Sequence, residues 1–148
     1  MAPLLAGSPA AAADLKGIEV LDTGVLAFSS IREAKDPATG QPISIASGLR
    51  IETPTRQIRP AEDLIFGFQG RVLGEPFGTS VTFRIVCHFP NRTSESTTSR
   101  YFGEIFLHGC RVRAEDLRGD FNAWAPRIQV FHEDRAVMDE RFSVMPAP

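Results

Sequence analysis

Lysine is scarce in this chain, and so is any concentration of positive charge. Lys16 and Lys35 are the only lysines, and the arginines are spread along a sequence whose formal net charge is −2 and whose pI is near 5.9. Proteins that bind nucleic acid usually concentrate basic residues on one face or in one run. The sequence therefore predicts no nucleic-acid partner.

Long apolar runs are also missing. No segment approaches the ~20 apolar residues that a membrane-spanning helix requires, so we predict no membrane span. The 148 residues are 43% hydrophobic and 23% charged, which is an ordinary composition for a globular protein of one domain. We expect a tail over residues 1–16 and one domain over residues 17–146.

The alanine-rich start of the chain resembles the end of a secretory signal, with Ala11, Ala12 and Ala13 ahead of Asp14. A positively charged beginning and a full apolar stretch, which complete such a signal, are missing. Two interpretations stay open, a truncated signal peptide and a disordered tail. The first predicts a periplasmic or secreted protein, and the second leaves a cytoplasmic one.

Motifs for catalysis are absent as well. No G-x-S-x-G nucleophile elbow occurs, and the His132-Glu133 pair does not continue to a second histidine, because position 136 is alanine. His88, His108 and His132 fall on three different predicted strands. We therefore predict no metal, no cofactor and no catalytic residue. An enzyme built from loop carboxylates is the weaker alternative.

The chain has two cysteines, Cys87 and Cys110, enough for one disulfide. A hairpin that joins residues 79–89 to 101–113 around a polar loop would hold them several residues apart along the ladder, beyond the ~7 Å limit between Cα atoms. That register argues against a bridge. A bridge between two facing sheets remains an alternative.

Alternation of apolar and polar residues is the strongest positive signal. Thr79–Phe89 places Val81, Phe83 and Ile85 on one face, and Leu64–Leu73 shows the same period of two. Two runs around Glu133-Asp134 predict a closing hairpin. Residues 29–48 and 90–100 lack such alternation and are predicted to be loops. About seven to eight short strands and no long helix predict an all-β antiparallel sandwich.

Three stretches resemble a bacterial family of uncharacterised proteins, a domain of unknown function: FGFQGRVLG at 66–74, VTFRIVCHFP at 81–90, and the closing segment with Trp124 and Phe142. The likeness extends from about Gly17 to Val144. It implies an immunoglobulin-like β-sandwich, often in exported or envelope proteins. It implies no activity and assigns no site residue.

The leading hypothesis is a non-catalytic binding or interaction module of the bacterial cell envelope. It would engage another envelope protein through an edge strand such as Leu49–Thr53. The alternative is a small-ligand or carbohydrate-binding domain that uses the loops at 29–48 and 114–123, with Arg32, Asp116 and Trp124 as candidate contacts. The main interpretation of Trp124 is a hydrophobic anchor of the closing hairpin, and a sugar-stacking or partner-binding role is the minority one.

Overall fold

The computed structural model describes residues 14–118 and 123–145, and it confirms the predicted all-β sandwich. A short 3₁₀ helix spans Ala114–Arg118. No helix within those ranges is long and apolar enough to cross a membrane. The twelve strands are β1 (Asp14–Ala27), β2 (Ser30–Lys35), β3 (Pro42–Ser47), β4 (Arg50–Pro54), β5 (Gln57–Ile58), β6 (Ile65–Glu75), β7 (Ser80–His88), β8 (Thr93–Tyr101), β9 (Ile105–Arg111), β10 (Arg127–His132), β11 (Arg135–Arg141) and β12 (Ser143–Val144).

Eight of these strands form two four-stranded antiparallel sheets. The first sheet has the order β4-β1-β6-β9 and the second the order β11-β10-β7-β8. Strands β2 and β3 form a separate hairpin, and β5 pairs in parallel with β12. The chain passes between the two sheets at the β6–β7, β8–β9 and β9–β10 connections, which ties the sheets together face to face.

The core lies between the two sheets and is rich in phenylalanine. Phe66 and Phe83 have no exposed surface, and Phe66 makes edge-to-face contacts with Phe89, Trp124 and Phe142 at ring-centre distances of 5.3–6.1 Å. Phenylalanine brings a large apolar area and no polar atom that would need a partner. The alternation in β6 and β7 predicted this arrangement correctly.

A row of glycines lets the strands of the first sheet approach closely. Gly24, Gly67 and Gly109 lie opposite one another on β1, β6 and β9. A Cβ atom at Gly67 would come within 2.2 Å of the His108 carbonyl oxygen and 2.8 Å of Leu26. Glycine is therefore required there, since any side chain would collide with backbone.

The predicted hairpin between residues 79–89 and 101–113 was wrong. Strand β7 pairs with β8, which was predicted to be a loop, whereas β9 pairs with β6 in the other sheet. The prediction failed because the serines and threonines of β8 were interpreted as a solvated loop, although threonine favours extended backbone.

The same error accounts for the disulfide. Cys87 on β7 and Cys110 on β9 form a disulfide that joins the two sheets, with 5.9 Å between their Cα atoms. The argument against a bridge assumed the wrong pairing, and the alternative between facing sheets is the correct one. A bridge between cysteines 23 positions apart in the sequence stabilises the fold by about 3 kcal/mol, chiefly by restricting the unfolded chain.

Two further boundaries differ from prediction. Residues 29–48, predicted to be a loop, contain the β2–β3 hairpin. Strand β1 begins at Asp14, with Leu15 buried, so the first sheet starts inside the segment predicted to be a tail. Residues 1–13, on which the signal-like interpretation depends, lie outside the described residues.

Candidate functional site

On one side of the sandwich, the edge strand β8 of the second sheet faces the edge strand β9 of the first. The β2–β3 hairpin spans this opening and is attached to both edges through polar side chains. A groove of about 410 Å³ lies between the hairpin and the two strands. We call this space the edge groove.

Asp36 attaches the hairpin to β8. Its carboxylate is only 1% exposed and accepts hydrogen bonds from the Thr97 hydroxyl at 2.6 Å, the Thr97 amide at 3.3 Å and the Thr39 hydroxyl at 2.9 Å. Burial opposes ionisation of this carboxyl, but the hydrogen bonds from Thr97 and Thr39 outweigh it and lower the pKa of Asp36. The ionised group therefore holds the hairpin at neutral pH.

Glu33 and Ser44 attach the hairpin to the other edge. The two Glu33 oxygens accept from Arg111 at 2.8 Å and from Arg113 at 3.1 Å, and both arginines also donate to the Ser44 hydroxyl at 3.0 Å. Partial burial works against the charge on Glu33, but Arg113 and then Arg111 lower its pKa overall. Arg111 also donates a hydrogen bond from Nη2 to the Asp63 carboxylate at 2.7 Å.

Serine and threonine line the part of the groove along β8. Ser94, Ser96 and Thr98 alternate on the face that continues the core face of β7, where their partners are Cys87, Ile85 and Phe83. Small side chains at these positions leave space that larger apolar residues would fill. None of the three hydroxyls forms a hydrogen bond with another residue in the described ranges.

Aliphatic side chains line the rest of the groove. Ile65 on β6 and Leu107 on β9 lie on the face of the first sheet opposite to the core residues Phe66 and Phe106. Strand β3 adds Ile43 and Ile45, and the connection between β3 and β4 adds Leu49. The edge groove is therefore divided into an apolar part and a hydroxyl-bearing part.

Every charged side chain that lines the groove is basic. These residues are Lys35, Arg92, Arg100, Arg111 and Arg113, and no carboxylate from the described ranges is among the lining residues. The arginines pair with carboxylates that do not themselves line the groove. One example is Glu104, whose carboxylate lies 3.1 Å from Arg100. The Lys35 side chain forms no ion pair or hydrogen bond with a described residue.

Arg100 and His108 lie together at the hydroxyl-bearing part. The Arg100 guanidinium stands 4.7 Å from the centre of the Phe106 ring, and its Nε is buried without a hydrogen-bond partner in the described structure. Burial, with a smaller contribution from the charge of Arg100, lowers the pKa of His108 to about 4. His108 is therefore neutral at pH 7, and Arg100 is the charged side chain of this pair.

The residues proposed from sequence as ligand contacts do not converge. Arg32 lies exposed on β2 opposite Ile45 and is not among the lining residues of the groove. Asp116 is 2% exposed and forms a two-point ion pair with Arg92, at 2.8 Å for both hydrogen bonds. Trp124 is 7% exposed and donates from Nε1 to the His88 carbonyl at 2.8 Å, which agrees with its interpretation as an anchor. Part of the proposed loop, residues 119–122, lies outside the described structure.

The three histidines have separate environments. His88 Nε2 is 2.7 Å from Gln129 Oε1, His132 Nδ1 is 3.4 Å from the Thr82 carbonyl, and His108 lines the groove. In the described ranges, no three histidine, cysteine, aspartate or glutamate side chains converge as metal ligands would.

Sequence reasoning missed the edge groove because it assigned β8 and the β2–β3 hairpin to loops and paired β9 with β7 instead of β6. One signal was present in the sequence. Ser94, Ser96, Thr98 and Arg100 recur at every second position directly after the clearest core strand. A strand with a polar face toward the core indicates an opening in the sandwich.

Comparison with known proteins does not supply a function. No protein-family model matches the chain, and no curated protein is significantly similar to it. The resemblance to a bacterial family of unknown function therefore stays a prediction, and the site rests on its own geometry.

Proposed function

We propose that this protein is a non-catalytic binding module that holds a small organic molecule in the edge groove. The observation that supports this proposal is the groove itself. Its volume of about 410 Å³ falls within the range of about 300–1,000 Å³ typical of ligand pockets. Its aliphatic walls can shield an apolar body, and its hydroxyl and basic groups can fix the orientation of a polar group.

A small molecule fits this groove better than a carbohydrate. Phe89 is the only aromatic side chain other than His108 among the lining residues, and its ring already carries the Arg92 guanidinium at 4.0 Å. Carbohydrate sites usually depend on exposed aromatic faces, for which tryptophan and tyrosine are best suited. Trp124 lies in the core, and the one tyrosine, Tyr101, is not among the lining residues.

A second candidate function is recognition of another envelope protein through β4. This strand forms one edge of the first sheet, pairs only with β1, and is exposed at most of its five positions. An open edge can accept an added strand through main-chain hydrogen bonds. Pro54 limits the length of that edge because proline has no amide proton.

The disulfide supports an exported location. Cys87–Cys110 joins the two sheets, and such bridges persist in the bacterial periplasm and outside the cell but are rare in the cytosol. We therefore propose a periplasmic or secreted protein, and we retain the immunoglobulin-like relationship as part of this proposal.

A groove-filling variant tests the proposed function. Ser96→Phe places an aromatic ring in the hydroxyl-bearing part of the groove, whereas Ser99→Phe makes the same change on the opposite face of β8, where Ser99 contacts Thr82. A library of small organic molecules is screened by the shift in thermal unfolding temperature. A ligand present at one hundred times its Kd stabilises a protein by about 2.7 kcal/mol.

We expect ligands that stabilise the wild type and Ser99→Phe to lose their effect on Ser96→Phe. Ser96→Phe should itself fold, because it fills space rather than displacing packed atoms. Ligands that stabilise all three proteins equally would place the site elsewhere, and a library without any stabilising compound would count against a small-molecule function.

A further inference from the structure

We propose that the ligand of the edge groove is a monocarboxylic acid with an apolar body, whose carboxylate is bound by Arg100 and Lys35 and whose body lies against Ile65, Leu107 and Ile45. This inference rests on the proposed function and adds to it the chemical class of the ligand.

The charge of the lining selects an anion. All five of its charged residues are basic, and the acidic partners of the arginines lie outside the lining. A cationic ligand would therefore meet only like charges at close range. The Lys35 side chain has no partner among the described residues, so one cation is available without breaking an existing ion pair.

Arg100 is a second cationic donor in the lining. One of its terminal nitrogens, Nη1, donates to Glu104, while Nη2 forms no hydrogen bond with a described residue. Its side chain is 26% exposed, so the guanidinium is partly desolvated by Phe106 and by the strand beneath it. Partial desolvation strengthens the attraction to a carboxylate.

The neighbouring groups suit a carboxylate as well. The hydroxyls of Ser96 and Thr98 can each donate to an oxygen, and neutral His108 can donate from one ring nitrogen. The lining therefore offers a carboxylate two cationic donors, Lys35 and Arg100, and neutral donors from Ser96, Thr98 and His108.

The apolar part of the groove determines the chemistry and size of the rest of the ligand. Ile65 and Leu107 on the first sheet and Ile43 and Ile45 on β3 supply the aliphatic side chains of this part, with Arg111 opposite Ile65 and Arg32 opposite Ile45 in their strand pairs. At about 30 Å³ for each non-hydrogen atom, the liquid volume of one water, the groove has room for at most about fourteen such atoms. An acid with an aliphatic body of about eight carbon atoms fits this limit.

The experiment is isothermal titration of the full chain with four probes at one pH and salt concentration. Octanoate carries both features, octanamide lacks the charge, octylamine reverses it, and acetate lacks the apolar body. We expect octanoate to bind about tenfold more tightly than octanamide, since a charge-assisted hydrogen bond is worth about one decade of affinity more than a neutral one. Octylamine and acetate should bind more weakly still.

Arg100→Gln and Arg84→Gln provide a matched pair of variants. Each arginine pairs with a glutamate and stands over a phenylalanine ring, but only Arg100 lines the groove. Arg100→Gln should bring octanoate and octanamide to within about threefold of each other, and Arg84→Gln should keep the wild-type ratio. If Arg100→Gln does not fold, Lys35→Gln makes the same comparison at an exposed residue.

The outcomes separate the two proposals. Octanoate and octanamide could bind equally, with Ser96→Phe abolishing the binding of both. This result would overturn the proposal that the ligand is a carboxylic acid and would leave the edge groove as the ligand site. A preference for octanoate that persists in both Arg100→Gln and Lys35→Gln would also overturn this assignment. Failure of all four probes would overturn the acid, and the library screen would then decide the function independently.

Discussion

Ser96 occupies a place in the second sheet where a closed sandwich would carry an aliphatic side chain. Its partner across the ladder, Ile85, is fully buried in the core. The core therefore ends at Ile85, and the edge groove begins at Ser96 on the neighbouring strand, about 4.7–4.9 Å away. Small hydroxyl residues at three successive inner positions create the groove without altering the hydrogen bonding of the sheet.

Among single residues, His108 yields the clearest prediction, because folding opposes its protonation. Burial and the charge of Arg100 lower its pKa to about 4, from 6.5 in an unfolded chain. The unfolded state therefore takes up a proton at a higher pH than the folded state, and stability is lost as the pH falls from about 6.5 to 4 and is fully present above that window. Between pH 7 and 4.5 this effect amounts to about 2–3 kcal/mol.

Chemical denaturation of the wild type and of His108→Asn at several pH values measures this difference. We expect the wild type to lose more free energy of unfolding than His108→Asn between pH 7 and 4.5. Aspartate and glutamate titrate in both proteins and cancel in the comparison. Parallel pH profiles for the two proteins would show that His108 is protonated as easily in the folded state as in the unfolded one.

At the scale of elements, the β2–β3 hairpin is held by polar contacts rather than by a large apolar face. Asp36 attaches it to β8, while Glu33 and Ser44 attach it to β9. Ion pairs as exposed as those of Glu33, whose side chain is 54% exposed, contribute little each. The buried carboxylate of Asp36 is the stronger attachment, since its removal leaves Thr97 without a partner for its hydroxyl.

Asp36→Ala should therefore loosen the hairpin while the sheets remain folded. We expect amide hydrogen exchange at pH 7 to accelerate by about tenfold or more over residues 30–47 and to stay unchanged in β7 and β10. Asp139→Ala is the control, because Asp139 forms an ion pair with Arg127 between β10 and β11, in the second sheet. Equal acceleration throughout the chain would mean that Asp36 supports the whole fold and not the hairpin.

Sequence reasoning identified the elements whose side chains alternate and missed those that do not. In β6 and β7 one face is apolar, so period two was visible and the core residues Phe66, Phe68, Phe83 and Ile85 were predicted correctly. In β2 and β3, by contrast, most positions are polar or exposed. The turn residues Asp36, Pro37 and Gly40 were visible, but without apolar alternation they were interpreted as part of a long loop.

At the scale of the whole molecule, pairing between strands was the part that local sequence could not supply. Whether β7 pairs with β8 or β9 depends on how distant segments close the sandwich, and period two is the same in either arrangement. The disulfide depended on that choice, and so did the groove, because the edge groove exists only where β8 and β9 are the edges of different sheets. The proposed contacts Arg32, Asp116 and Trp124 were selected from predicted loops and the start of the closing hairpin, and they therefore missed it.

Amide chemical-shift mapping of the ¹⁵N-labelled protein during titration with a stabilising small molecule tests the central claim most directly. The account predicts that the largest shifts fall within residues 94–100, 107–111 and 43–46, the segments that supply most of the groove lining, and that they disappear in Ser96→Phe. Shifts concentrated on β4, or on β10 and β11, would contradict the account and place the binding site elsewhere on the sandwich.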